Sequence, residues 1–83
     1  MSQTIRVKLF AVAKQIAGAE SVELALPERG TVADVRRMLL ERYPSLSNLA
    51  TLLLFAVNGE YAADATVIPR DAEVACIPPV SGG

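Results

Sequence analysis

The sequence has no histidine, no tryptophan and a single cysteine, Cys76. Without histidine, neither a Ser-His-Asp nor a Cys-His catalytic arrangement can be built from one chain. Without histidine or a second cysteine, the usual nitrogen and sulfur ligand sets for zinc or copper are out of reach as well. One cysteine also excludes an internal disulfide, and a lone thiol in so short a chain fits a reducing compartment such as the cytoplasm. No GxxxxGK[ST] or GxGxxG loop occurs, so no phosphate-cradling turn is encoded. No apolar run approaches the roughly 20 residues of a membrane-spanning helix. The opening MSQTIRVKLF lacks the long apolar core and small-residue cleavage pattern of a secretory signal. A formal net charge of -1 leaves no basic footprint for nucleic acid. A self-sufficient enzyme is not expected.

What is present is the composition of a folded domain. The 83 residues are 52% hydrophobic and 20% charged, room for one core and too apolar for a disordered chain. No linker, repeat or low-complexity block interrupts it.

Local patterns predict alternating elements. Over 4–10, Ile5, Val7 and Leu9 alternate with Arg6 and Lys8, the period of a half-buried strand. AVAKQIAG places Val12, Ala13 and Ile16 at helical spacing, and Gly18 stands where a helix C-terminal glycine belongs. SVELAL alternates again, and Pro27 and Gly30 close this second strand. The clearest helix runs from Val32 to Arg42, with Thr31 as N-cap and Asp34 at the third helical position, a capping box with Asp for Glu. Val32, Val35, Leu39 and either Met38 or Tyr43 form its apolar stripe. Arg36, Arg37 and Arg42 read as its solvated face, each worth little alone. Pro44 limits the helix by disfavouring helical geometry at Tyr43. LSNLA reads as a helical turn. LLLFAVNG reads as a mostly buried strand entering a turn at Asn58-Gly59, with a short return from Glu60 and Tyr61. An extended piece near Val67, the turn PRDA and a last strand EVACI complete the order, and Pro78 and Pro79 end pairing. One helix across one face of a mixed sheet is an α+β architecture. The first and last strands can then lie parallel at the centre, as in a β-grasp, ubiquitin-like fold.

The domain is expected over 1–77, and the tail over 78–83 has its own properties. Pro78-Pro79 favours a stiff, extended exit. From Ile77 the chain reaches at most about 20 Å to Gly83. Gly82 and Gly83 have no Cβ and fit a narrow slot against another backbone. The reactive group at such an end is the α-carboxylate of Gly83. A partner enzyme can turn a carboxylate into an acyl adenylate, which a sulfur donor or an amine then attacks. Terminal glycines are also often frayed ends, and the residues alone leave that reading open.

The chain resembles the small, sulfur-carrier subunit of molybdopterin synthase along nearly its whole length. The resemblance rests on VKLFAVAKQIAG, TVADVRRMLLERYP, AVNGEY and above all DAEVACIPPVSGG. Two departures are visible: RDAEV lacks the glycine common in that turn, and Cys76 stands where a bulky apolar residue is usual. The resemblance implies a β-grasp fold with no bound cofactor. It implies that an ATP-dependent, ubiquitin-activating-like adenylyltransferase activates Gly83 and that a sulfur donor converts it to a thiocarboxylate. The loaded tail then enters the large subunit of a heterotetrameric synthase and gives sulfur to cyclic pyranopterin monophosphate, building the dithiolene of the molybdenum cofactor. A thiamine-pathway sulfur carrier or a ubiquitin-like protein modifier are the alternatives.

Partner contacts are expected from Gly82, Ser81, Val80, Pro79, Pro78, Ile77 and Phe10. For Phe10 and Ile77 core packing is an equally good reading, whereas Val80 lies past the last strand and reads as a docking residue. Cys76 alternates with its neighbours in a strand and reads as a small buried hydrophobe rather than a sulfur relay.

Overall fold

The computed structural model describes residues 3–79. Its elements are β1 (Gln3–Leu9), α1 (Ala11–Ala17), β2 (Ser21–Leu26), α2 (Val32–Arg42), a 3-10 helix (Pro44–Leu49), β3 (Leu54–Val57), β4 (Glu60–Ala62) and β5 (Val74–Ile77). The strands form one five-stranded sheet in the order β2-β1-β5-β3-β4. β1 and β5 run parallel at its centre, with Val7 opposite Val74 and Leu9 opposite Cys76. The flanking pairs, β1–β2, β3–β5 and β3–β4, are antiparallel. A mixed sheet with a principal helix on one face is the α+β, β-grasp arrangement that the pattern predicts.

Alternation decides which face is buried. Ile5, Val7 and Leu9 of β1, Val22, Leu24 and Leu26 of β2, Phe55 of β3 and Val74 and Cys76 of β5 point into one core. Val32, Val35 and Leu39 of α2 close it from the other side, with Met38 and Tyr43 both packed at its edge. The helix starts as its sequence requires. The Thr31 side chain accepts from the Asp34 backbone N–H, and the Asp34 carboxylate accepts from the Thr31 N–H at 2.9 Å. α1 ends on Gly18 at φ 69°, whose N–H reaches the Lys14 carbonyl at 2.9 Å.

The structure alters three expectations. β1 ends at Leu9, leaving Phe10 as an extended residue just beyond it. In LLLFAV, only Leu54–Val57 is strand, and Leu52 and Leu54 are exposed. Both Leu52 and Leu53 donate their N–H to the Leu49 carbonyl, which keeps that stretch in a turn and sends only Leu53 inward. Arg36 is not part of a solvated face. Its Nη1 donates to the carbonyls of Ala50 and Leu53, its Nη2 meets Asp64 at 2.8 Å, and its guanidinium lies 5.0 Å from the Phe55 ring centroid. Arg42 also turns back, donating to the Glu23 carbonyl at 2.9 Å, whereas Arg37 pairs with Glu41 in the open.

The turns follow their residues. Asn58 and Gly59 both have positive φ, as a two-residue hairpin between Val57 and Glu60 demands. In RDAEV the left-handed position that a glycine would fill is taken by Asp71 at φ 62°, a conformation aspartate tolerates better than most.

Candidate functional site

β5 delivers the chain to its exit. Val74 and Cys76 face the core, Ala75 and Ile77 the open face, and pairing stops at the prolines, which have no N–H to give. Pro78 is still buried where the chain leaves the sheet, and Pro79 is exposed. Val80, Ser81, Gly82 and Gly83 lie outside the described residues.

The register places an apolar row across this exit. Leu54 pairs with Ile77. Leu9 pairs with Cys76, and the Phe10 N–H donates to the Cys76 carbonyl, so Phe10 follows alongside Ile77. Phe10 is extended (φ -121°, ψ 157°) and keeps the outward phase of β1. Phe10 is 46% exposed and Leu54 52%, while Ile77 between them is half-buried. One row further in, Ala75 pairs with Ala56 and Ala56 with Tyr61, which is 70% exposed. The open face thus carries Phe10, Ile77, Leu54 and Tyr61 around a floor of small alanines. Neither Phe10 nor Ile77 belongs to the core, which removes the core-packing reading of both.

Leu54 and Tyr61 were not legible as members of this surface. Leu54 is hidden in a run of apolar residues whose phase cannot be read without knowing where the strand begins. Tyr61 lies on a strand of only three residues, too short for a period to show. The hairpin signal at Asn58-Gly59 was the one clue, since it sets β4 against β3.

Phe10, Ile77, Leu54, Ala75 and Ala56 are apolar, and Tyr61 adds an exposed aromatic ring at the edge of the same face. Exposed large apolar groups clustered on so small a domain are the kind of surface that protein contacts use. Nearby lysines are already engaged: Lys8 with Glu73 at 3.9 Å and Lys14 with Glu20 at 3.5 Å, both exposed pairs of small energetic weight. Cys76 points away from the row into the core. Burial pushes its thiol up to about 11, against a smaller opposing pull from the Arg36 charge, so at neutral pH it is an un-ionised hydrophobe. Among the described residues no helix is long and apolar enough to cross a membrane.

Known proteins resemble the chain over this whole frame. A family model described as the ThiS family matches residues 7–83. The molybdopterin synthase sulfur carrier subunit of Dictyostelium discoideum is 38% identical over 87 residues, covering 100% of both chains. That of Arabidopsis thaliana is 34% identical over 82 residues, covering 99% of this chain and 85% of its own. Among solved structures, SAMP1 from Haloferax volcanii superposes with a TM-score of 0.84 at 30% identity, covering 98% of this chain and 100% of that one. By its match from β1 through Gly83, the chain belongs to the ThiS family, where it stands with the molybdopterin synthase sulfur carrier subunits.

Proposed function

We propose that this chain carries sulfur on the carboxylate of Gly83 and delivers it inside a partner's active site. The observation that carries the reading is the likeness of the entire chain, through Gly83, to sulfur carrier subunits. In the first step an ATP-dependent adenylyltransferase joins the Gly83 carboxylate to AMP and releases pyrophosphate. In the second, a sulfide nucleophile attacks the acyl carbon, AMP leaves with the C–O bond's electrons, and the thiocarboxylate remains. The loaded chain then docks on the large subunit of molybdopterin synthase, in a heterotetramer. There the thiocarboxylate sulfur bonds to an electrophilic carbon of cyclic pyranopterin monophosphate as an oxygen substituent leaves that carbon with its electron pair. Water then cleaves the acyl carbon–sulfur bond, leaving the sulfur on the pterin as a thiolate and returning the Gly83 carboxylate. These partners are cytoplasmic, and the chain itself holds no cofactor beyond its transient adenylate and thiocarboxylate.

The fold supports the docking part of this cycle. Pro78 is buried and Pro79 exposed where the chain leaves the sheet, beside the apolar row. Phe10, Ile77, Leu54 and Tyr61 give the partner a surface to grip, Val80, Ser81 and Gly82 continue into its channel, and only Gly83 need reach the chemistry. A hydrophobic dock beside a tip of two glycines lets the body supply affinity while the tip supplies reactivity.

The likeness to a structure named small archaeal modifier protein 1 of H. volcanii favours a second reading, in which activated Gly83 is captured by a lysine amine and the chain becomes a protein modifier. Intact mass separates the two. With adenylyltransferase, ATP and sulfide, the chain should gain about 16 Da as oxygen is replaced by sulfur, and a chain lacking Gly83 should gain nothing. Absence of that gain, with an adenylyltransferase shown to be active, overturns the sulfur-carrier reading. Adducts the size of a second protein support the modifier.

A further inference from the structure

Among the described residues, four other than glycine adopt positive φ: Ala11, Arg29, Asn58 and Asp71. Three stand in loops between strands or before a helix, where such geometry is ordinary. Ala11 does not. It is the first residue of α1, at φ 50°, directly after Phe10. Its side chain is exposed, so no packing recompenses the crowding of its Cβ in the left-handed region.

The consequence of this one reversed residue is local. Phe10 stays extended and in phase with β1, while the next residue already begins a helix. Phe10 is held from two sides: its N–H donates to the Cys76 carbonyl at 3.3 Å, and its carbonyl accepts from Ala13 at 3.1 Å and Lys14 at 3.4 Å. A chain turning with negative φ at residue 11 would leave on a different path and could not serve both sets of bonds. Lys8, Leu9, Phe10, Ala11 and Lys14 line a groove beside this turn.

The geometry points to Ala11 as a positioning residue that fixes the Phe10 ring beside Ile77 at the tail exit; this rests on the proposed docking of the apolar row to the large subunit. Ala11 touches no reacting atom and acts through Phe10. Valine, branched at Cβ, is an outlier at positive φ, whereas glycine adopts it freely. The residue therefore needs to be small for a conformational reason.

The test is a double-mutant cycle on docking of the full chain to the large subunit, read by calorimetry. Phe10→Ala should weaken docking about tenfold. Ala11→Val should weaken it by a similar factor, and Ala11→Gly should stay within about twofold of the parent. In the Phe10→Ala background, Ala11→Val should add less than about twofold, because its effect passes through the ring. Hydrogen exchange supplies the structural readout: the Phe10 amide should lose protection in Ala11→Val while Val7 and Ile5 keep theirs. If Ala11→Val does not fold, Ala11→Thr, also branched at Cβ but polar at this exposed position, replaces it in the cycle. Full docking by Ala11→Val, an equal loss in Ala11→Gly, or a loss that adds fully to Phe10→Ala overturns the role of Ala11. Full docking by Phe10→Ala overturns the apolar row as the dock, and Ala11 with it. A parent chain that does not dock at all refutes the proposed function instead.

Discussion

Replacing Arg36 by methionine should destabilise the fold by about 2–4 kcal/mol. Methionine preserves much of the aliphatic stem, so the change removes charge and donors rather than volume. Two backbone carbonyls, of Ala50 and Leu53, lose a charged donor. Hydrogen bonds to charged groups contribute roughly 1.5–3 kcal/mol each, less whatever water recovers. The stacking over Phe55 adds about 0.5–1 kcal/mol. The Asp64 pair adds under about 0.5 kcal/mol, because that carboxylate is more than half exposed. The buried Arg36 Nε has no acceptor, which offsets part of the gain. At about 4–8 °C per kcal/mol for a domain of this size, melting should fall by roughly 10–25 °C. Urea unfolding followed by circular dichroism should show a lower midpoint with an unchanged slope, and Asp64→Asn should move it little. A loss below about 0.5 kcal/mol in Arg36→Met would refute the reasoning, since that is what a solvated helix-face charge yields.

Thr31→Ala breaks the capping box and should cost about 1 kcal/mol in the same assay. Asp34 is held below the ordinary carboxylate value, first by the Thr31 backbone N–H and then by the Thr31 hydroxyl and Arg37, against a desolvation effect that raises it. Its folded pKa is depressed, so its contribution is fully present above about pH 4 and lost as pH falls through the folded value; Asp34→Asn should flatten urea midpoints measured between about pH 2 and 5. The Cys76 thiol, raised to about 11, should resist iodoacetamide at pH 8 until urea unfolds the chain. The sign for stability is opposite to that of Asp34: a raised folded pKa stabilises below the unfolded thiol's value of about 8.5 and the contribution fades as pH climbs toward the folded one. Fast alkylation of the native protein would show that Cys76 is accessible. A Cβ at Gly30 would collide with the Leu26 side chain in the core, so Gly30→Ala should cost about 1–3 kcal/mol by thermal melt.

Much of the scaffold was legible because its signals are local. The period of two in IRVKL and SVELAL, the Thr31–Asp34 cap and Asn58-Gly59 each act over a few residues, and each appears where its pattern predicts. What escaped depends on partners far along the chain. Arg36 looks like any helix-face arginine until residues 50–53 turn their carbonyls toward it, at separations of 14 and 17 residues. Leu54 joins Ile77 and Phe10 only through a sheet register spanning most of the chain. Ala11 carries no mark in the sequence, since alanine gives no hint of a left-handed backbone. The tail residues Val80 to Gly83 were legible by composition and by resemblance, and their role stands as a proposal.

A sulfur carrier gives up the sulfur on Gly83, not Gly83 itself. Thiocarboxylated chain, mixed with the large subunit and cyclic pyranopterin monophosphate, can be followed by intact mass and product analysis in a single turnover. The carrier should lose about 16 Da, and one sulfur should appear in the pterin product for each carrier spent. A carrier that keeps its sulfur beside a competent large subunit, or that leaves the mixture amide-linked to a lysine, would contradict the sulfur-carrier reading.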